Sequence, residues 1–316
     1  MLKSHERWIM YYEKTLKRHP EGAPYMALSD IIKDIAVRVE RKESFQILRE
    51  GTCAIRIQDI EVDEENQIAI LLISLADTNV SDPAFANLAS GDLRIEPKLD
   101  GEGIAISAHV CMSLIEQNEI PDIYFCCIES VIGLTKSVIE PFLTHEIKEA
   151  TSYSFKNEEG KTIKCRPIID MDVYMSKKLQ EDLEHGSLLG IELYSNNPVV
   201  DLDEENYVKE TRYSITVKTK KVSGEVAFGF IDRIQEYAKL NGFNEMKIRF
   251  EEPARRKQKS VRAGSDKEDL RDLVYGKDKL IGTRKAIDQC SEKIHIEIAS
   301  AMKNIVLEAR GQNNVP

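Results

Sequence analysis

Two hydrophobic periods run along this chain, and the change between them falls near residue 52. Before it, apolar positions recur every three or four residues. Trp8, Tyr11, Tyr12 and Leu16 give an approximately helical stripe over residues 4–18, with Ser4 placed to cap it. Pro20 and Pro24 interrupt the pattern. Ile31, Ile32, Ile35 and Val39 then mark a second helix over residues 29–39. The two are expected to pair as an α-hairpin against the following sheet or a partner subunit.

From Thr52 the period becomes two. Residues 54–62 alternate, but the apolar parity shifts between Ile55/Ile57 and Ile60/Val62, so a bulge is expected near Gln58. The run Ile68–Leu75 is apolar on both faces, as an interior strand covered on each side must be. Residues 101–114 read as a further strand, with 92–98 as its partner. Residues 137–149 read as a helix in spite of Pro141. A hairpin over residues 152–165 turns at Asn157–Gly160.

Asn196, Asn197, Pro198 and the acidic run Asp201–Glu205 make a linker, so a domain boundary is expected near residue 200. Beyond it lies the best-formed local unit: strand over 210–218, helix over 222–240, strand over 244–250. Ser265 and Glu268 form a capping box, and residues 299–309 follow a helical face. The expected class is α+β. An N-terminal helical pair with a mainly antiparallel sheet (1–200) precedes a smaller β-α-β-containing domain (201–316).

Composition narrows the setting. The chain has 316 residues, 42% hydrophobic and 31% charged, enough for more than one globular domain. No apolar run approaches the ~20 residues that cross a bilayer, so membrane insertion is not expected. Glu6, Arg7 and Glu13 break up the start, unlike a secretory signal. The six cysteines form no CxxC pair, which points to reduced, buried thiols and a soluble protein of the cytoplasm.

Charge is what suggests a ligand. The net charge is −10, yet residues 211–262 hold 13 Lys/Arg against 6 Asp/Glu. Lys247 and Arg249 share a strand face, and Arg255, Arg256, Lys257, Lys259 and Arg262 follow closely. Such a surface presents ammonium and guanidinium groups to successive phosphates, giving affinity without base preference. The leading expectation is a non-catalytic nucleic-acid (polyanion) binding component of an intracellular assembly, with no cofactor. A homo-oligomer or an acidic protein partner is also compatible, as is an interaction scaffold.

The alternative is a metal-dependent nuclease or phosphodiesterase. Asp77, Asp82 and Glu102 lie near strand ends and His109 on a strand. Carboxylates there share a Mg²⁺ or Mn²⁺ ion while a histidine serves as base. The sequence lacks a phosphate-cradling loop of the Gly-Lys-Ser/Thr type and a nucleophile elbow, so ATP hydrolysis and serine acyl transfer are not indicated.

Overall fold

The first twelve-residue element overturns the expected N-terminal helical pair. Residues expected to be helical form a strand, Glu6–Lys17, with odd and even positions buried on opposite faces. Ile9 and Tyr11 face one way, Tyr12 and Leu16 the other. A strand covered on both faces has no polar side, so the period-two signal vanishes and chance three-four spacings of aromatics look helical. The α+β arrangement led by two helices is therefore replaced by a mostly β protein.

In the computed structural model, described for residues 3–20, 22–117, 121–150, 153–157, 159–195, 213–251, 258–265 and 274–312, the chain divides into two compact units. One is Met1–Tyr174 with Asp278–Pro316, the other Met175–Lys277. This differs from a division at residue 200, which falls within 196–212, outside the described residues.

The first unit opens with β1 (Glu6–Lys17), α1 (Leu28–Glu40), β2 (Phe45–Leu48), β3 (Cys53–Asp63) and β4 (Ile68–Asp77). A short hairpin, β5 (Ala84–Ala86) and β6 (Leu93–Ile95), leads to β7 (Ile104–Glu116), β8 (Ile123–Glu129) and α2 (Lys136–Ala150). The pair β9 (Ser154–Lys156) and β10 (Thr162–Lys164) is the hairpin expected around Asn157, and β11 (Ile168–Val173) follows. The second unit holds β12 (Met175–Lys178), α3 (Leu179–His185), β13 (Ser187–Ser195), β14 (Tyr213–Val222) and α4 (Gly224–Leu240). It continues with β15 (Glu245–Glu251), β16 (Gln258–Gly264) and β17 (Val274–Gly276). The chain then re-enters the first unit through β18 (Asp278–Gly282) and α5 (Ile296–Gln312).

The large sheet runs β11-β1-β8-β7-β4-β3-β2, with β18 beside the first half of β1. Every pairing in it is antiparallel. One face packs Ala69, Leu71 and Ile73 against Ile31, Ile35, Phe142 and Leu143 of α1 and α2. The other packs Ile68, Ile70 and Phe125 against Ile298, Met302 and Ile305 of α5. That double cover is why β4 is apolar at successive positions, and each such side chain contributes about 1.5–3 kcal/mol of burial. The bulge expected near Gln58 is present as a register shift between Ile57 and Asp59. The partners of 104–116 are β4 and β8 and not the run 92–98, of which Leu93–Ile95 pair instead with Ala84–Ala86.

In the second unit the sheet order is β14-β13-β15-β16, again antiparallel. The expected strand–helix–strand unit is present as β14, α4 and β15, but β13 sits between its two strands. Leu188, Ile191, Leu193, Met246, Ile248 and Phe250 pack on Phe228 and Ile231 of α4. Gly190 stands where β13 and β14 slip register, and a Cβ there would lie 2.5 Å from the Val217 carbonyl oxygen. No side chain fits so close an approach. The helix expected after Ser265 lies outside the described residues.

Candidate functional site

Alternation in the second unit's sheet sends one set of side chains under α4 and the other to the opposite face. The register puts Glu192 across from Thr216 on one side and Lys247 on the other, and Gly190 across from Lys218 and Arg249. Lys247 in turn faces Arg262. Lys218, Lys247, Arg249 and Arg262 therefore share a face with Glu192 and Tyr194. Lys218 and Arg262 are exposed, while Lys247 and Arg249 are partly so.

Glu192 organises the middle of this face. Its carboxylate lies 3.5 Å from Lys247 Nζ and 3.4 Å from Arg249 Nε. Tyr194 Oη donates to Glu192 Oε2 at 2.5 Å. That hydrogen bond, with the charges of Lys247 and Arg249, holds the Glu192 carboxyl below the usual carboxylate range. Arg262 lies 5.9 Å from the Tyr194 ring centroid and 3.1 Å from a Glu245 oxygen. One carboxylate between two cations leaves that trio positive, so acidic neighbours reduce the field of this face without cancelling it.

The basic residues singled out from the sequence are thus only partly gathered. Lys247, Arg249 and Arg262 are brought together. Lys259 stands across from Phe250, on the side of the sheet that packs on α4. Arg255, Arg256 and Lys257 lie in 252–257, outside the described residues. Tyr194, Glu192 and Lys218 were not picked out by sequence. Alternation marks them as outward-facing, but only the strand order, with β13 inserted between β14 and β15, places them beside Lys247.

The acid–histidine grouping behaves differently. Asp77 ends β4 and accepts from Arg49 Nη1 at 2.7 Å and from the Asn79 N–H at 2.8 Å. Asp82 accepts the Lys98 N–H at 3.2 Å, and Glu102 accepts the Leu99 N–H at 2.8 Å. These are carboxylates closing turns. Glu102 does lie near Asp77, since a Cβ at Gly103 would come within 2.8 Å of the Asp77 backbone. His109, however, is five positions along β7 from Ile104, the partner of Asp77. At ~3.3 Å per residue that is roughly 16 Å away. Among the described residues no group of three or more His, Cys, Asp or Glu is placed to hold a metal ion.

His109 belongs to a buried network instead. Its Nδ1 lies 2.6 Å from Glu129 Oε2, and its Nε2 accepts the backbone N–H of His295 at 2.9 Å. An accepting Nε2 requires the proton on Nδ1, so the ring is a neutral donor to Glu129. Arg7 Nε sits 2.6 Å from the other Glu129 oxygen, with both side chains almost wholly buried. Burial alone would raise the Glu129 pKa, but the side-chain and backbone hydrogen bonds from His109 and the charge of Arg7 hold it below its usual range. All six cysteines are free thiols, five of them buried. No described helix is long and apolar enough to cross a membrane. No family model matches the chain, and no curated protein matches it.

Proposed function

We propose that this protein binds nucleic acid without cleaving it, through the face of the second unit's sheet turned away from α4. The observation that supports this reading is the juxtaposition of Lys218, Lys247, Arg249 and Arg262 with Tyr194 on one side of a four-stranded sheet. Cations spaced on neighbouring strands track a phosphate backbone. An aromatic ring among them offers a stacking platform that any unpaired base accepts. A single strand suits this arrangement better than a duplex, because stacking on a sheet needs bases free of their partners. In sequence, the six residues between β15 and β16 include Arg255, Arg256 and Lys257.

Fluorescence anisotropy of a labelled single-stranded oligonucleotide, titrated at several salt concentrations, tests the reading. Wild type should bind with an affinity that falls steeply as salt rises. Reversing Lys247 and Arg249 together should flatten the salt slope by about 1.4, at roughly 0.7 per lost phosphate contact. Tyr194→Ala should weaken single-strand binding by about 1–3 kcal/mol. Unchanged affinity after reversal of Lys247 and Arg249, and after reversal of Arg255, Arg256 and Lys257, would remove this function.

A further inference from the structure

The cations on the second unit's sheet do not stop at its border. Among the described residues β14 is the terminal strand of that sheet, and α4 follows it directly in the chain. Between the two lies a groove of about 320 Å³, lined by Lys218, Lys220, Val222, Val226, Phe230 and Arg233, and no carboxylate lines it. Lys218, Lys220 and Arg233 are exposed, and none has a carboxylate at ion-pair distance among the described residues. Over 213–240 as a whole the balance is closer, with five Lys/Arg against three Asp/Glu. Helical period keeps the groove cationic all the same. At ~100° per residue, Glu225, Asp232 and Glu236 are each turned about 120° or more from Phe230 around α4.

The helix stripe that supplies this groove ends in aromatic rings. Val226, Phe230, Arg233 and Tyr237 are spaced by four, three and four residues, which puts them on one side of α4. Arg233 lies over the Phe230 ring at 5.9 Å. Tyr237 and Tyr213, the first residue of β14, both stack on Phe243, with centroids 6.4 and 5.6 Å away and planes 25° and 28° apart. Phe243 is buried, while the two tyrosines are 46% and 58% exposed. Each exposed ring is therefore held in place by a buried one and keeps about half its surface in water. Phe230 and Tyr237 stand roughly 10 Å apart along the helix axis.

We infer that a single strand held on the sheet face crosses β14 at Lys218 and continues along this groove, a second subsite that rests on the nucleic-acid reading above. Lys218 is the junction, because it shares the sheet face with Lys247 and Arg249 and also lines the groove. Lys220 and Arg233 take the phosphates there, and Phe230 and Tyr237 take the bases. Unpaired cations interleaved with fixed, accessible rings suit a strand whose bases are free to stack. An acidic polypeptide would use the cations and leave the rings idle, and a duplex has no free bases to offer.

Anisotropy titrations of the full chain with a labelled oligothymidylate of about 15 nucleotides test the path. Lys220→Glu/Arg233→Glu should weaken binding at least ~10-fold and lower the salt slope by about 1.4, at roughly 0.7 per lost phosphate contact. Tyr237→Ala changes no charge, so its effect separates contact from the general field, and it should weaken binding ~5-fold or more. Tyr237→Phe keeps the ring and should bind as wild type does. Lys220 and Arg233 are exposed, so circular dichroism and the unfolding midpoint of their double variant should match wild type. A wild type that binds no oligonucleotide would overturn both this inference and the reading it rests on. If Lys247→Glu/Arg249→Glu weakened binding while the Lys220/Arg233 pair and Tyr237→Ala left it unchanged, the groove alone would be wrong. Poly-glutamate that displaced the oligonucleotide at equal charge would mark a site for acidic chains and would overturn it too.

Discussion

Strand β1 buries two cations seven residues apart, and the two faces of the large sheet treat them in opposite ways. Arg7 points to the side covered by residues 283–295 and α5, where Glu129 neutralises it and the carbonyl oxygens of Lys3, Glu6, Ile287 and Asp288 accept its remaining donors. Lys14 points to the α1 and α2 side and is fully buried, yet its partners are Met112 Sδ at 3.0 Å and the Tyr124 ring at 5.7 Å. Neither is a charge. A buried ion with an ideal partner is costly to break, whereas one with only soft partners is costly to keep. Burial therefore lowers the Lys14 pKa to about 8, while the Glu129 carboxyl is held low by its neighbours.

Removing the partner on the Arg7 side should give the largest effect. Glu129→Gln keeps the shape but leaves a buried guanidinium without a countercharge and withdraws an acceptor from His109. The expected loss is about 3–5 kcal/mol of unfolding free energy, measured by urea titration. The same titration on Lys14→Met should move the other way. If both variants destabilised alike, the contrast between the two faces would be false.

For Lys14 the pH dependence gives a second handle. Its folded value of about 8 lies below the unfolded 10.5, so the folded state binds fewer protons between them. Below pH ~8 the burial penalty is present in full. It disappears as pH rises to about 10.5, and stability should climb by on the order of 3 kcal/mol over that window. Lys14→Met should remove the climb and raise stability at neutral pH by a comparable amount. A flat wild-type profile from pH 8 to 10.5 would mean that Lys14 is solvated, contrary to its packing.

The same strand shows what was legible in the sequence. Ile68–Leu75 announces an interior strand because its apolar run has no break, and the parity shift at Gln58 announces a bulge because one face is consistently apolar on each side of it. Residues 6–17 announce neither. Arg7 and Glu13 read only as charges that interrupt an apolar start, and Lys14 carries no mark at all, yet Arg7 and Lys14 are buried cations on opposite faces of a strand. A charged residue at a buried position carries no local signal of burial, since its environment comes from β8, β7 and α5, far along the chain. The candidate interface has the same limit. The cationic excess of 211–262 is visible in composition, but Tyr194 joins it only through pairing of β13 with β15.

Glu146 sharpens the comparison from within the Lys14 side. This carboxyl is buried in α2, accepts from Ser44 Oγ at 2.7 Å, and has Arg38 Nε at 3.4 Å. Burial is the largest influence and raises its pKa, against the opposing pull of Ser44 and Arg38. It is thus intermediate between a fully neutralised Glu129 and an unneutralised Lys14. A raised carboxyl favours the protonated form when folded, so wild-type stability should decline as pH rises above 4.5 through the folded value. Glu146→Gln mimics the protonated acid and still accepts from Ser44. It should change stability at neutral pH by only about 1 kcal/mol or less, the gain from removing charge offsetting the weaker bond to Arg38. The decline above pH 4.5 should shrink in the variant, read from urea titrations across pH 4–7. A loss as large as that of Glu129→Gln would place Glu146 with the paired charges and would show that the α1–α2 side tolerates buried charge no worse than the α5 side.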